Sequence, residues 1–389
     1  MGFKTAEFPP VDTETFLEQP LMERMKTLAL HWCEHGFGTP KMVHTVYLMK
    51  LAFFYIGLGL VVATTTSHLP AFWHPGQWWN QPVVYQKAVM WTMLLEAIGV
   101  AGSWGPLAGK FKPMTGGIRY WAKPGTIRLR PWKAIPGTAG NTRTVLDIAL
   151  YLGFLASLFA AIVTPPQDGL VRPALLVAPI ALILLTGLRD KVIFLAARSE
   201  QYLPALIFFA ALNFVDMIVA LKLLICVVWI GAGVSKFGKH FTNVVAPMVS
   251  NSPSVVSRRF RRAQYRNFPA DIRPSKAASA LAHAGGTLVE IATPLVLLFS
   301  TNRTVTAAAV AVMVIFHVFI ISTFPLAVPL EWNVLFTYAA VFLFWGHPAG
   351  AGFGVGDMSS PVLTVAIVAG LVFFPILGNL RPDLVSFLP

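Results

Sequence analysis

Eight ionisable side chains lie inside or at the edge of apolar stretches, and they are the residues of this sequence that could do chemistry. Charged and titratable groups are costly in hydrocarbon and therefore pair with one another or line polar cavities. The eight residues are Glu96, Asp216, Lys222, Lys236, His283, Glu290, His317 and Glu331. Singly, each could be structural, bonded to a helix end or to a neighbouring charge. Together they favour a polar site within an apolar bundle.

The stretch IGAGVSKFGKHF, residues 230–241, ends a long apolar run on small residues, two lysines and His240. A lysine in this place could simply extend its amine to the membrane surface. The small residues before it, Gly233 among them, form a surface that another backbone or a flat ligand could approach closely. Two roles are therefore open for Lys236: an anchor at the membrane surface or a member of the polar site.

Spacing relates the two lysines to a histidine and a carboxylate further along the chain. Lys222 and Lys236 are fourteen residues apart, which places them within about 40° of one helical face, where two cations need a carboxylate or an anionic ligand. His283 and Glu290 are seven apart and share a face, about 10 Å apart along the axis. Counting depth from the basic end of each helix predicts that Glu290 faces Lys222 and that His283 lies nearer Lys236.

The elements that carry these residues are predicted to be membrane-spanning helices. Of the 389 residues, 56% are hydrophobic and 12% charged, whereas soluble domains carry about 25% charged residues. Runs long enough, or nearly so, to cross about 30 Å of hydrocarbon recur along the chain. Seven of them are 46–66, 88–103, 145–163, 175–188, 218–234, 305–323 and 363–377. We expect an all-α polytopic membrane protein with about ten spans, nine being the alternative.

Two basic loops set the predicted orientation. Residues 105–143 hold eight Lys or Arg residues and no Asp or Glu, and residues 237–277 hold eight with a single Asp. Because basic loops stay on the cytoplasmic side, both loops and both chain ends are expected in the cytoplasm, with the bundle in the inner (plasma) membrane. The net charge of +13 follows mostly from this topology.

The remaining segments predict membrane-surface contacts and exclude several classes of protein. Residues 1–41 precede the helical domain 42–389, and the pattern from Glu14 to His35 is typical of an amphipathic helix on the cytoplasmic membrane face. The basic loops could attract anionic lipids of the bilayer or dock a membrane protein partner. A basic soluble domain for nucleic acid, a phosphate-binding Gly-rich loop and a GxSxG motif are all missing from the sequence. Cys33 and Cys226 cannot form a disulfide framework or a CxxC site, and no metal site is predicted.

One helix carries a resemblance to a known domain. The stretch WIGAGVSK, residues 229–236, resembles the aromatic-x-x-Ala-Gly-x-x-Lys helix of the vitamin K-dependent gamma-carboxylases and of the horizontally transferred transmembrane (HTTM) domain to which they belong, with Trp229 as the aromatic residue. The stretch HAGGTLVEIATPLVLLF, residues 283–299, is similar to the Glu-to-Pro helix of that domain, and His317 falls on the following helix, as a histidine does there. The whole chain also resembles an actinobacterial family of multi-pass membrane proteins whose function is not established.

The resemblance implies an HTTM-like bundle and a reaction on a lipid or a quinone. Lys236 would be the base toward a reduced quinone, Glu290 its charge partner or proton acceptor, and His317 a proton-transfer residue. The physical chemistry agrees, because removal from water favours the neutral amine, which can accept a proton from a hydroquinone. The residues expected to line the ligand site are Lys222, His283, Trp229, Gly233, Asp216, Glu96 and His240.

A second interpretation stays open beside the enzyme. In it the protein is a non-catalytic membrane subunit or a lipid-binding module, in which the ionisable residues hold helices together and the basic loops bind a partner or headgroups. A transporter is less favoured, because alternating-access folds usually show an internal repeat and no repeat between the two halves is visible.

Overall fold

The fold, given by a computed structural model, is helical apart from one short hairpin. The structure describes residues 12–36, 41–101, 117–132, 134–323 and 330–381. Its α-helices are α1 (Thr13–Glu18), α2 (Leu21–His35), α3 (Lys41–Met49), α4 (Gly59–Thr65), α5 (Pro75–Trp78), α6 (Pro82–Ile98), α7 (Ile118–Trp121), α8 (Val145–Val163), α9 (Pro173–Arg189), α10 (Val192–Ala196), α11 (Ser199–Ala211), α12 (Phe214–Ser235), α13 (Thr242–Ser250), α14 (Arg258–Arg262), α15 (Lys276–Ala280), α16 (Val289–Phe299), α17 (Arg303–Thr323), α18 (Leu330–Ala339) and α19 (Pro361–Leu380). The hairpin pairs β1 (Tyr265–Asn267) with β2 (Asp271–Pro274) in antiparallel fashion.

Wider π-helical turns join several of these helices into longer rods. The π-helical segments are Lys50–Leu58, between α3 and α4; Leu281–Leu288, between α15 and α16; and Ala340–Gly346, after α18. Short 3-10 helices cover Lys239–Phe241, Ala349–Ala351 and Val355–Asp357. Such wide turns are uncommon and recur near functional positions.

The expectation of an all-α polytopic membrane protein is confirmed. Six helices in the described chain are long and apolar enough to cross a membrane: His44–Thr65, Val145–Val163, Phe214–Ser235, Lys276–Phe299, Arg303–Thr323 and Pro361–Leu380. The bent pair Leu330–Gly346 and Ala349–Asp357 adds a seventh if it counts as one span. The helices α6, α9 and α11 have 17, 17 and 13 residues, so the count of ten is not reached by length and composition alone.

The helix α12 lies at the centre of the bundle. In its most apolar window 67% of the residues are buried, compared with 11 to 39% in the other five helices that meet the length criterion. A helix that is apolar on all sides is buried in protein or in lipid, and α12 is buried in protein because it packs against α11, α16 and α19. By contrast, α19 exposes most of its surface.

The amino-terminal helix differs from its prediction in two ways. The expected single helix is divided into α1 and α2, because Pro20 disfavours helical geometry at Gln19, which is extended. Part of its apolar side, with Ala29 and Cys33, packs against protein, in a cluster with Tyr265 and other residues of the second basic loop.

The buried Arg261 of α14 joins that loop to α2. Its Nε donates to the carbonyl oxygen of Cys33 at 3.1 Å, Nη1 to Val255 O at 2.9 Å and Nη2 to Glu34 O at 3.3 Å. We call this set of contacts the Arg261 clamp. It fixes the end of α2 on the second basic loop.

The first basic loop is partly built from buried ion pairs, which the sequence analysis missed. Arg128 contacts Asp147 at 3.3 Å, Arg189 contacts the same carboxylate at 2.5 Å, and Arg143 contacts Asp190 at 2.5 Å. Basic residues in this loop therefore have a structural role, because they hold the described part of the loop against α8 and α9. Residues 105–116 and 133 of the predicted loop lie outside the described residues.

Candidate functional site

The candidate site begins where α12 ends, at an ion pair between Lys236 and Glu290. Lys236 terminates α12, and Glu290 lies in the first turn of α16. The lysine side chain is 22% exposed and the glutamate 5%, so the pair has one open side. The rings of Phe241 and Phe316 lie 5.5 and 5.9 Å from the lysine Nζ. The result is a partly open charged pair with aromatic neighbours.

Gly233 explains how the two helices come close enough to form this pair. A Cβ atom at this position would lie 2.7 Å from Ile291 Cγ1 and 3.2 Å from Glu290 Cβ. Only glycine leaves room for so close an approach. At Gly231, two residues earlier, a Cβ would meet nothing within 4 Å. The small-residue surface at Gly233 thus receives α16, whereas the sequence had left a helix and a flat ligand as equal options.

The prediction that Glu290 faces Lys222 is wrong, because Glu290 pairs with Lys236. Lys222 instead donates to the carbonyl oxygens of His347 and Phe353, both at 2.6 Å. The error came from counting depth from Lys276. Glu290, fourteen residues after Lys276, reaches Lys236 at the end of α12, so Lys276 and Lys236 are not level and the two depth counts began at different heights.

The position of His283, predicted to lie nearer Lys236, stays a prediction. His283 lies half-buried in the π-helical segment Leu281–Leu288, and no hydrogen bond or ion pair joins it to Lys236 in the described chain. The residue of that segment that does reach the end of α12 is Thr287, whose hydroxyl lies 3.4 Å from the carbonyl oxygen of Lys236.

His317 is a buried link between three helices. Trp229 Nε1 donates to His317 Nε2 at 3.0 Å, and His317 Nδ1 lies 2.9 Å from Asn333 Oδ1. Because an indole N–H can only donate, Nε2 accepts, and the proton sits on Nδ1 and is donated to the amide oxygen. Both ring nitrogens are therefore engaged, and α12, α17 and α18 are tied together. The imidazole makes no hydrogen bond to the Lys236–Glu290 pair in the described chain. The preceding residue, Phe316, is the one whose ring lies near the lysine.

The other predicted site residues lie elsewhere. Asp216, at the start of α12, accepts hydrogen bonds from the side chain of Asn213 at 2.6 Å and the backbone N–H of Ser359 at 2.7 Å. It therefore fastens the start of α12, at the opposite end from Lys236. Glu96 belongs to a separate cluster at the end of α6. His240 is exposed on the 3-10 helix Lys239–Phe241.

Sequence reasoning missed Phe241, Phe316, Thr287 and Asn333 as neighbours of the site. Phe241 and Phe316 directly follow or precede residues that had been singled out, and adjacency is the signal that could have found them. Asn333 lies two residues after Glu331, so that a rotation of about 200° puts the two polar side chains on opposite faces of α18. Asn333 faces His317, and Glu331 faces Lys50.

The comparisons with known proteins agree with a membrane protein and go no further. A family model described as a transmembrane protein of unknown function, DUF3556, matches residues 1–389. No curated protein and no solved structure matches the chain. No match connects it with the HTTM domain or with the gamma-carboxylases. Since the family model covers the whole length, the chain belongs to the DUF3556 family of transmembrane proteins.

Proposed function

We propose that this protein binds a lipid or a quinone at the Lys236–Glu290 pair and that Lys236 acts on the bound molecule as a base. The observation that carries the proposal is the ion pair itself, which sits at a helix end beside two aromatic rings with the lysine partly open. A lipid or quinone offers a polar head for the pair and an apolar body for the rings and the surrounding helices.

The pair can exchange a proton internally. In surroundings poor in water, two separated charges are costly, and transfer of one proton from the amine to the carboxylate converts the ion pair into two neutral groups. The neutral amine can then accept a proton from an acidic hydroxyl such as that of a hydroquinone. In this scheme Glu290 is the charge partner and proton acceptor. His317 holds α12 in position beside the site through its hydrogen bond with Trp229.

The proposal extends to the arrangement in the membrane. The resemblance of residues 229–236 and 283–299 to the HTTM domain supports an HTTM-like bundle. We propose ten spans, in which α6, α9, α11 and the α18 segment complete the set of longer helices, with both chain ends in the cytoplasm and the bundle in the plasma membrane. The basic segments support this orientation, since positive residues stay on the cytoplasmic side.

A second candidate function is a non-catalytic membrane subunit or lipid-binding module. It is favoured by the protein contacts of Lys222, Asp216 and His317, each of which ties α12 to another part of the chain. In this interpretation the Lys236–Glu290 pair binds a headgroup without reacting, and the basic loops contact anionic lipids or a partner protein.

Mass spectrometry of lipids and quinones that co-purify with the protein tests the proposal. The wild-type protein is compared with Lys236→Met and with the control Lys239→Met, which removes an exposed lysine three residues away. We expect one class of amphipathic molecule to be enriched with the wild type and the control, and to fall at least fivefold with Lys236→Met. Equal retention by all three proteins would show that the pair does not hold the ligand.

A further inference from the structure

A second polar cluster lies where α6 ends and α11 and α18 begin. Glu96, in the last turn of α6, is fully buried, and neither oxygen of its carboxyl group has a hydrogen-bond partner in the described chain. Tyr202 of α11 is also buried, and its hydroxyl is likewise unpartnered there. Buried polar atoms in proteins are nearly always hydrogen-bonded, so two such groups within one cluster indicate a site.

The charged neighbours of Glu96 are engaged with other carboxylates. Glu96 interacts electrostatically with Lys50 and Arg198 and with Glu200 and Glu331. The amine of Lys50 contacts Glu331 at 2.6 Å, and Arg198 lies 3.9 Å from Glu200. These five groups comprise two cations and three carboxyl groups. Of the three carboxyl groups, Glu96 is the one that neither cation contacts among the described residues.

Of the three tyrosines around the cluster, Tyr202 is the one whose hydroxyl has no hydrogen-bond partner in the described chain. Tyr47 donates its hydroxyl to Glu331 at 2.8 Å, and the Tyr55 hydroxyl is 2.7 Å from Thr92 Oγ1. Both are thereby satisfied. Tyr202 interacts electrostatically with Glu96 and keeps its hydroxyl open for hydrogen bonding.

We infer that Glu96 is a proton-binding site in the same polar cluster as the Tyr202 hydroxyl, and that its carboxyl group carries its proton in the folded protein at neutral pH. A carboxylate without a counter-ion is far more costly in an apolar interior than the neutral acid. The inference is independent of the proposed function, because Glu96 is not part of the Lys236–Glu290 pair.

Infrared spectroscopy of the protein in lipid nanodiscs tests this inference. The spectrum of the wild type at pH 7 minus that of Glu96→Gln should contain a C=O stretching band of a protonated carboxylic acid, which moves to lower frequency in D2O. The control is Glu34→Gln, whose difference spectrum should lack this band because Glu34 is ion-paired with Arg262 outside this cluster. No such band in the Glu96→Gln difference would mean that Glu96 is ionised, for instance around a bound cation, and would overturn the inference.

A measurement on the wild type keeps the test valid whatever the variant does. With all glutamates labelled with carbon-13, any protonated glutamate in the wild type shows a carboxylic-acid band shifted relative to the unlabelled protein. We expect one at pH 7. Its absence contradicts the inference even if Glu96→Gln fails to fold.

Discussion

Lys236 and Glu290 neutralise each other's charge within the helical bundle. The carboxylate is almost completely buried, and its partner in the described chain is the lysine amine. Removing one member of a buried pair leaves the other charge uncompensated, which is more destabilising than replacing both. Stability and reactivity at this pair can therefore be separated by choosing the substitution.

Substitution of Lys236 by Ala and by Arg should separate the effect on stability from the effect on reactivity. We expect Lys236→Ala to lower the free energy of unfolding by about 1–3 kcal/mol, between an exposed and a fully buried pair, whereas Lys236→Arg keeps the charge and most of the stability. Both should abolish a reaction that needs a proton acceptor, because arginine stays protonated. Thermal unfolding in detergent and turnover of the ligand found by mass spectrometry are the measurements.

Lys239→Ala is the control for these variants, since it removes a nearby exposed charge, and it should change neither quantity. If Lys236→Arg is as active as the wild type, the base is a different residue and Lys236 only positions the ligand.

At the scale of the element, the approach of α16 to α12 decides whether the pair can form. Gly233 permits this approach, and Gly231 lies on an open part of the same helix. The two glycines therefore provide a matched comparison within one turn.

Gly233→Ala should be destabilising and Gly231→Ala should not. The new methyl group at 233 meets Ile291 and Glu290 at 2.7 and 3.2 Å, and forcing such a group into a packed interface costs about 1–3 kcal/mol. At 231 alanine has space and a better helix propensity than glycine by about 1 kcal/mol. Melting temperatures of the two variants and of the wild type provide the measurement; equal destabilisation would mean that packing at 233 is not limiting.

Some elements could be predicted closely from the sequence, and others could not. The run 145–163 coincides with α8, because Thr144 and Asp147 cap its start and a proline pair follows its end. The partners of Lys222 could not be predicted, because they are backbone carbonyls of a loop distant in sequence. Since every residue has a carbonyl, no residue type marks such a partner. Glu290 was correctly singled out as a lysine partner, but which lysine it meets depends on how far α16 is shifted along α12, and composition does not indicate that shift.

At the scale of the whole molecule, orientation is the property that the basic loops are proposed to set. Its test uses cysteine labelling, and the two native cysteines do not interfere. Cys33 and Cys226 are buried, and burial raises the pKa of the Cys33 thiol to about 11. Since only the thiolate reacts, Cys33 is expected to stay unlabelled at pH 7.5 and to gain reactivity only as the pH approaches 11.

Single cysteines at exposed positions should report the two sides of the membrane. We expect Gly76→Cys to react with a membrane-impermeant maleimide added to intact cells, while Ala134→Cys and Val256→Cys, one in each basic loop, react only after the cells are opened. The wild type is the control for background. Labelling of either basic-loop cysteine from outside would reverse the proposed orientation.

The Arg261 clamp has a consequence for the order in which the protein is made. Its arginine is 228 residues beyond the cysteine carbonyl that it binds, and at a synthesis rate of about 5–20 residues per second the ribosome needs roughly 10–45 s to cover that distance. During this interval α2 has already been translated, and its final protein contact does not yet exist. The nascent amino-terminal helix therefore remains without this contact, with Ala29 and Cys33 uncovered, until the second basic loop has been made and can bind it.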